Sequence, residues 1–302
     1  MANLQRERLV TAPRVLGVDA GGTATRAVLV SDGAVITRFD DGPLNLLLHE
    51  NAFERLVLLI KESGATAAGL GLAGLRGEAE GRKLQERLVA ATGADVVVAD
   101  DTEVALLGAF EGGPGIVVIA GTGSNAFGRD AQGRAARVGG HGFLLGDEGS
   151  AYWIASRALR AALHSYDGTG PKSEPLEQAI LRAYSLDFDA IVRLVHSNPA
   201  DRQLVARVAR IAMELDDPVL HGILDQAASD LAMMASALRA KLGADLPVAM
   251  HGGIFGNERI RSRFVAVTGA VAPAQAPEFG ALQLLSLSAG AATERDMGWA
   301  KL

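Results

Sequence analysis

The sequence contains no cysteine among its 302 residues. Disulfide bonds, cysteine-ligated zinc sites and protein-held iron–sulfur clusters are therefore excluded. Aromatic residues are scarce at 5%, and no apolar run is long enough to cross a bilayer. Residues 1–13 are polar and of mixed charge, without the apolar stretch of a signal peptide, so we expect a cytoplasmic protein with no membrane partner.

The chain also lacks an excess of positive charge. It has 29 basic and 35 acidic residues, for a formal net charge of −6. This balance argues against a general affinity for nucleic acid. It does not exclude a nucleotide ligand, because glycine turns, helix N-termini and Mg²⁺ can all bind phosphates. With 49% hydrophobic residues and 36 glycines, the chain predicts a globular fold, rich in tight turns, of one large or two ordinary domains.

Residues 16–30 are the stretch around which the chain is organised. They contain an apolar run, Asp19, the turn Gly21-Gly22-Thr23, and a second apolar run after Thr25. The pattern predicts two strands joined by a glycine hairpin. The N–H groups of such a turn and its threonine hydroxyls could bind an anion, and Asp19 could hold a hydrated Mg²⁺. An ordinary hairpin with a capping aspartate fits this stretch equally well.

A second hairpin of the same kind follows a break at residues 111–115. Residues 115–120 predict a strand, Gly121-Thr122-Gly123-Ser124 a turn, and residues 125–129 a second strand. Each half thus opens with strand, glycine–threonine turn, strand, hairpin and strand, which indicates a duplicated architecture. If the two turns line one cleft, they could grip the phosphates of a nucleotide from two sides; the alternative is two unrelated turns.

The complete pattern predicts an α/β protein of two domains, each with a mixed sheet flanked by helices. The first half reads β-β-β-α-β-α-β-α. We expect domains at residues 14–111 and 112–302, with a helical insertion at about 151–242 in the second. A strand at 246–250 and a final helix at 280–292 follow that insertion.

Adjacent aspartates, Asp100 and Asp101, lie where a buried strand ends and a helix begins. Ligands collect at such strand ends in α/β sheets. A carboxylate there can accept the proton of a hydroxyl that attacks phosphorus. Aspartate is also a favoured helix cap, so one of the pair can cap while the other acts. We take Asp101 as the candidate base and keep Asp100 as the alternative.

Three further segments could contact a ligand. Asp147 and Glu148 lie in a glycine-rich loop before a helix, where carboxylates can accept hydrogen bonds from sugar hydroxyls or simply favour the helix N-terminus. Asn45 is a similar candidate, although ordinary turn chemistry also explains it. The pair Gly252-Gly253 after a strand would let backbone approach a flat ligand such as adenine, or would form a simple helix-entry turn.

Five motifs occur in one order along the chain. They are Asp19-Ala-Gly-Gly-Thr-x-Thr, Asp101-Thr-x-x-Ala-Leu-x-Gly-Ala, Gly121-Thr-Gly-Ser-Asn, Gly139-Gly-x-Gly-x-x-Leu-Gly-Asp-Glu-Gly-Ser-Ala-Tyr-Trp-Ile and His251-Gly-Gly. Together they resemble the N-acetylglucosamine kinase group of the BadF-type ATPase family, in the actin/Hsp70/sugar-kinase superfamily. The fourth motif is the most specific, and His141 within it departs from the Gly-Gly-Trp-Gly found in many members.

The resemblance implies two ribonuclease-H-like domains with a cleft that closes on substrate, and the use of ATP and Mg²⁺. It also implies a homodimer, by analogy. The implied ATP contacts are Gly21, Gly22, Thr23, Gly121, Thr122, Gly123, Ser124, Gly252 and Gly253. The implied sugar contacts are Asn45, Thr122, Asp147 and Glu148. In this reading Asp101 takes the proton from the sugar 6-hydroxyl, and Asp19 organises the metal.

The resulting hypothesis is an ATP-dependent kinase for N-acetylglucosamine, glucosamine or a related hexose. A second reading is an ATPase that drives a change in a partner protein without any sugar acceptor. A third is a sensor without catalysis, against which the intact Asp101 and both turns speak. The absence of cysteine argues against the iron–sulfur dehydratase activators of the same family.

Overall fold

The computed structural model describes residues 12–198 and 201–290. It divides into two compact units, one formed by the chain up to Gly112 together with the chain from Gln275, the other by Gly113–Ala274. Most of the predicted leader and the end of the predicted last helix lie outside the described residues. No helix among the residues described is both long and apolar enough to cross a membrane.

The first unit begins with a mixed five-stranded sheet and three helices. Its elements are β1 (Arg14–Ala20), β2 (Thr25–Ser31), β3 (Ala34–Asp41), α1 (Ala52–Ser63), β4 (Ala67–Leu72), α2 (Glu78–Thr92), β5 (Asp95–Asp100) and α3 (Asp101–Ala109). The strand order is β3-β2-β1-β4-β5, with β1, β2 and β3 antiparallel and β4 and β5 parallel to β1. The carboxyl ends of β1, β4 and β5 therefore lie side by side.

The second unit repeats the opening of the first and adds helices. Its elements are β6 (Gly115–Ala120), β7 (Ser124–Arg129), β8 (Ala135–Gly139), α4 (Ala151–Asp167), α5 (Glu174–Tyr184), α6 (Phe188–Ser197), α7 (Arg202–Ala206), α8 (Val208–Glu214), α9 (Pro218–Leu242), β9 (Val248–His251) and α10 (Glu258–Thr268). The sheet order is β8-β7-β6-β9, with β9 parallel to β6. Val271 forms a single parallel bridge to Ala249, at the place that a fifth strand holds in the first sheet.

Local signals in the sequence explain where the inserted helices begin and end. Ser150 and Asp217 cap α4 and α9 through their side-chain oxygens, and Gly243 in the left-handed conformation ends α9. Apolar side chains of the helices form one core with the inner face of the second sheet. The predicted α/β fold with two mixed sheets is confirmed by this arrangement.

The last helix, α11 (Pro277–Gly290), returns to the first unit. There it covers the sheet face opposite to α1 and α2 and packs against α3. Two glycines make this packing possible, because a Cβ atom on Gly17 or Gly69 would overlap the carbonyl oxygens of Glu278 and Ala281. The observed division therefore differs from the predicted one, which placed all residues from 112 onward in the second domain.

Candidate active site

The turn between β1 and β2 is fixed by backbone hydrogen bonds on both sides. The N–H of Gly21 donates to the carbonyl of Ala24 (3.0 Å), and the carbonyl of Gly21 accepts from the N–H of Leu44 (3.2 Å). Gly22 and Thr23 are exposed at its tip. The buried Thr25 donates its hydroxyl to the carbonyl of Gly42 (2.9 Å). The hydroxyl of Thr25 thus holds a neighbouring loop.

Asp19 lies on β1 just before this turn, on the face that α11 covers. Its strand partner is Arg26 on β2. Burial raises the pKa of the Asp19 carboxyl from 3.8 to about 7, with a further increase from the charge of Glu278 and a decrease from Arg26. The site therefore resists a bare negative charge at Asp19, and a bound cation would favour its ionised form.

Asp100 and Asp101 have different places at the start of α3. The carboxylate of Asp100 accepts from the N–H of Thr102 (3.0 Å) and from the hydroxyl of Thr102 (2.5 Å), so Asp100 is the helix cap. Asp101 is the first residue of the helix and is partly buried. The structure assigns the cap to Asp100, and the role of Asp101 as the base stays a prediction.

Asn45 meets the same edge of the first sheet. It forms a parallel bridge with Ala73, directly after β4. Its side-chain oxygen accepts from the N–H of Leu47 (2.9 Å), which is ordinary turn chemistry. In the strand register, Ala20 lies beside Leu72 and Leu72 beside Asp100. The first glycine turn, the Asn45 loop and the start of α3 are therefore neighbours, as the carboxyl ends of parallel strands should be.

The turn between β6 and β7 is built into the loop that follows it. The carbonyl of Gly121 accepts from the N–H of Ala151 at the start of α4 (2.8 Å). The buried Ser124 donates its hydroxyl to the carbonyl of Glu148 (2.7 Å). The hydroxyl of Ser124 therefore links the turn to the loop, and its contact with phosphate stays a prediction. Thr122 is exposed and remains the candidate hydroxyl of this turn.

Asp147 is the buried centre of the glycine-rich loop and is only 5% exposed. Its backbone is left-handed, with φ of 60°. A Cβ atom on Gly123 would lie 2.9 Å from its carboxylate, so only glycine in the turn permits this approach. The carboxylate of Asp147 thus lies directly against the second turn.

The charge of Asp147 depends on several neighbours. Burial is the main influence and raises the pKa of its carboxyl. A backbone hydrogen bond from Ser124 and the charge of Arg202 act in the opposite direction, whereas the charge of Glu148 adds to the increase. Glu148 itself is partly buried beside it.

Arg202 was not indicated by any motif. It comes from α7 in the helical insertion, and its guanidinium carbon lies 5.5 Å from the ring centre of Phe143 in the glycine-rich loop. Phe143 in turn packs edge-on against Tyr152 of α4, with ring centres 4.9 Å apart. This contact crosses a long stretch of sequence, so no local pattern could have announced it.

Gly252 and Gly253 lie beside the second turn, because β9 is parallel to β6 and pairs His251 with Ile119. Gly252 has a φ of 106°, and a Cβ atom there would overlap the carbonyl of Ala120. Gly252 is therefore required by the backbone, while Gly253 is exposed with open space around it. Within the second unit, the expected ATP and sugar residues form one group.

The model of the BadF/BadG/BcrA/BcrD ATPase family matches residues 16–284. An N-acetylmuramic acid/N-acetylglucosamine kinase from Clostridium acetobutylicum is 30% identical over 80% of this chain and 86% of its own length. An N-acetyl-D-glucosamine kinase from Dictyostelium discoideum is 29% identical over 79% and 84% of the two chains.

Solved structures agree with this assignment. The structure of a candidate N-acetylglucosamine kinase from Chromobacterium violaceum has a TM-score of 0.76 and 30% identity, and it covers 91% of this chain and 99% of its own. A hexokinase of the ROK class from Thermus thermophilus matches at a TM-score of 0.51 and 18% identity, over 92% of this chain and 99% of its own, which supports the fold alone.

Proposed function

We propose that this chain, which belongs to the BadF/BadG/BcrA/BcrD ATPase family, transfers the γ-phosphoryl group of ATP to a hydroxyl of an amino sugar. Support comes from relatives named as kinases of N-acetylglucosamine, N-acetylmuramic acid and glucosamine. The observation that carries the proposal is the edge of the first sheet, where a glycine turn and the non-capping Asp101 are neighbours. That edge combines phosphate donors with a proton acceptor.

Each group has a proposed task. The turns around Gly22 and Gly121 bind the ATP phosphates through backbone N–H groups, and Gly253 lies against the adenosine. Thr122 and Asn45 orient the sugar together with the carboxylates of the glycine-rich loop. In the reaction, Asp101 accepts the proton of the attacking hydroxyl, which places the nucleophile in line with the γ-phosphorus.

The carboxylate of Asp19 would be the protein ligand of the Mg²⁺ ion. The described residues contain no group of three or more histidine, cysteine or acidic side chains that could enclose a metal. Mg²⁺ is normally held by one or two carboxylates, several waters and the substrate phosphates. An aspartate that is hard to ionise on its own, at the end of β1, suits such an open site. When bound, the ion would neutralise charge on the transferring phosphoryl group.

Three finer expectations belong to the same proposal. The first is a homodimer formed through residues 164–242, which sedimentation analysis would detect. The second is a cytoplasmic location, which fractionation of the source cells would test. The closing of the two domains on substrate is the third, and small-angle scattering with and without sugar and nucleotide would measure it.

The test is a coupled assay of ADP release over a panel of hexoses and amino sugars. A sugar kinase releases ADP in proportion to one or a few acceptors and yields the sugar phosphate. If ADP is released at the same rate with every sugar and with none, the partner-coupled ATPase is the better reading. If no sugar and no partner elicits turnover while ligands still bind, the protein is a sensor.

A further inference from the structure

Glu278 of the last helix lies against β1, the strand that leads into the first glycine turn. It lies in the first turn of α11, and its carbonyl oxygen would be overlapped by a Cβ atom on Gly17. Gly17 and Asp19 are two residues apart on β1, and they point to the same face of the sheet. The close contact at Gly17 therefore brings the start of α11 beside the Asp19 side chain.

The carboxylate of Glu278 is only half satisfied. The residue is 5% exposed, and its Oε1 lies 3.5 Å from the guanidinium of Arg38. Its Oε2 has no hydrogen-bond partner among the residues described, although it is buried. Buried carboxylate oxygens normally have a partner, because leaving one without it carries a large desolvation penalty. A missing ligand would supply that partner.

The positive charges around the two carboxylates are weak compensation. Arg38 has a side chain 56% exposed and also lies over the ring of Phe279. Arg26, opposite Asp19, is 53% exposed and is shared with Asp40 at 3.8 Å. Exposed guanidinium groups are screened by water, so each contributes little to a buried carboxylate.

We propose that Glu278 is a second carboxylate of the Mg²⁺ site at Asp19, with its unpartnered Oε2 directed to the ion or to a water that the ion holds. This inference rests on the proposed function, because Mg·ATP is the co-substrate there. A doubly charged cation would relieve the repulsion between the two carboxylates and satisfy the buried oxygen. Mg²⁺ accepts such a pair because its remaining positions are taken by water and phosphate.

The test measures the binding of Mn²⁺, as a probe for Mg²⁺, to the full chain with ADP. The electron paramagnetic resonance signal of free Mn²⁺ reports how much of the ion remains unbound. We expect Glu278→Gln to weaken Mn²⁺ binding by about tenfold or more. Asp19→Asn should weaken it at least as much. The matched control is Asp40→Asn. Asp40 is an exposed carboxylate near Arg26, and its substitution should leave Mn²⁺ affinity unchanged.

Glutamine has the shape of glutamate, so Glu278→Gln should fold, and metal-free ADP binding and thermal unfolding would verify this. The proposal is overturned if Glu278→Gln binds Mn²⁺ like the parent chain while Asp19→Asn does not. It is also overturned if the parent chain with ADP binds no Mn²⁺. Because no sugar is present, failure of the sugar assay would leave this readout intact, and the two hypotheses fail separately.

Discussion

The two glycine turns occupy the same place in a strand–turn–strand unit and differ in the residues that surround them. Each follows a buried strand and is closed by a hydrogen bond from its first glycine. At the penultimate position of the preceding strand, however, β1 carries Asp19 and β6 carries Ile119. Their strand partners are Arg26 and Asn125. The charge lies on one copy only.

The second turn has no charged residue at that position and is hydrogen-bonded to neighbouring segments. Its Gly121 carbonyl is bound to α4, and the Ser124 hydroxyl is bound to the glycine-rich loop. Gly22 in the first turn, by contrast, has open space where a Cβ would lie. The same strand–turn–strand arrangement thus occurs twice, with an ionisable residue beside the first turn and tighter packing around the second.

The largest expected effect separates the chemistry of the first unit from its framework. Asp101→Asn should lower kcat by roughly 10²–10⁴-fold with little change in KM, because the proposed proton acceptor acts in the transition state and not in the binding of the substrates. Steady-state kinetics on the preferred sugar would measure it. Asp100→Asn is the matched control: it weakens the α3 cap by about 1 kcal/mol or less and should retain most of kcat. A fully active Asp101→Asn would remove the base from the proposal.

Asp19→Asn removes the ionisable side chain that precedes the first turn, at a position where the second turn has none. Because the Asp19 pKa is raised from 3.8 to about 7 in the folded state, this carboxyl favours folding at low pH, and that contribution is lost as pH rises through about 7. In metal-free buffer, Asp19→Asn should therefore gain stability over the parent at pH 8, on the order of 4 kcal/mol. The difference should vanish near pH 4.

Urea unfolding at both pH values would measure this difference. Asp40→Asn, which changes an exposed carboxylate, should show no such gain. Parallel stability curves for the parent chain and Asp19→Asn across this range would contradict the account of Asp19.

A methyl group probes how closely each turn is packed. Gly123→Ala should destabilise the chain by about 1–3 kcal/mol and weaken sugar binding, because its Cβ would press on the Asp147 carboxylate. Gly22→Ala meets no atom within 4 Å and should leave stability nearly unchanged. Thermal unfolding and sugar KM of the pair would decide. Equal destabilisation by the two substitutions would mean that the turns are packed alike.

The smallest expected effect concerns Arg202, which lies near the glycine-rich loop. Arg202 lowers the pKa of Asp147, so Arg202→Gln should raise it further. If the reaction needs the ionised carboxylate, the acid limb of kcat/KM for sugar should move to higher pH. Arg207→Gln is the control, since Arg207 lies 5.1 Å from the Tyr184 ring rather than over this loop. Identical pH profiles for the parent and both variants would assign Arg202 a purely structural part.

Local patterns in the sequence predicted much of this fold. Alternation and glycine placement predicted both strand–turn–strand openings, and the aspartate pair before α3 predicted a cap beside a candidate base. The cap could be assigned only with coordinates, because either aspartate suits an N-cap by type. Thr25 and Ser124 resemble phosphate donors for the same reason, and the hydrogen bonds of their hydroxyls depend on loops elsewhere in the chain.

Contacts between distant segments were beyond prediction. Arg202 of the inserted helix α7 contacts Phe143, and Glu278 of the last helix, α11, contacts the first sheet. Periodicity describes one segment and is silent about its partner. A signal did exist in Gly17 and Gly69, since glycine inside a buried strand often marks the close approach of another backbone. Pro277 likewise suits the first turn of a helix, three residues before the predicted start at 280.

The return of α11 gives the two units different histories during synthesis. The second unit, Gly113–Ala274, is one continuous segment, so all of its elements have been made before translation reaches Pro277. The first unit begins earlier but lacks the cover of one sheet face until α11 emerges. Val15, Val28 and Val30 pack against Leu282 and Leu285 of α11, so this part of the core of the first unit can be completed only after the whole of the second unit has been synthesised.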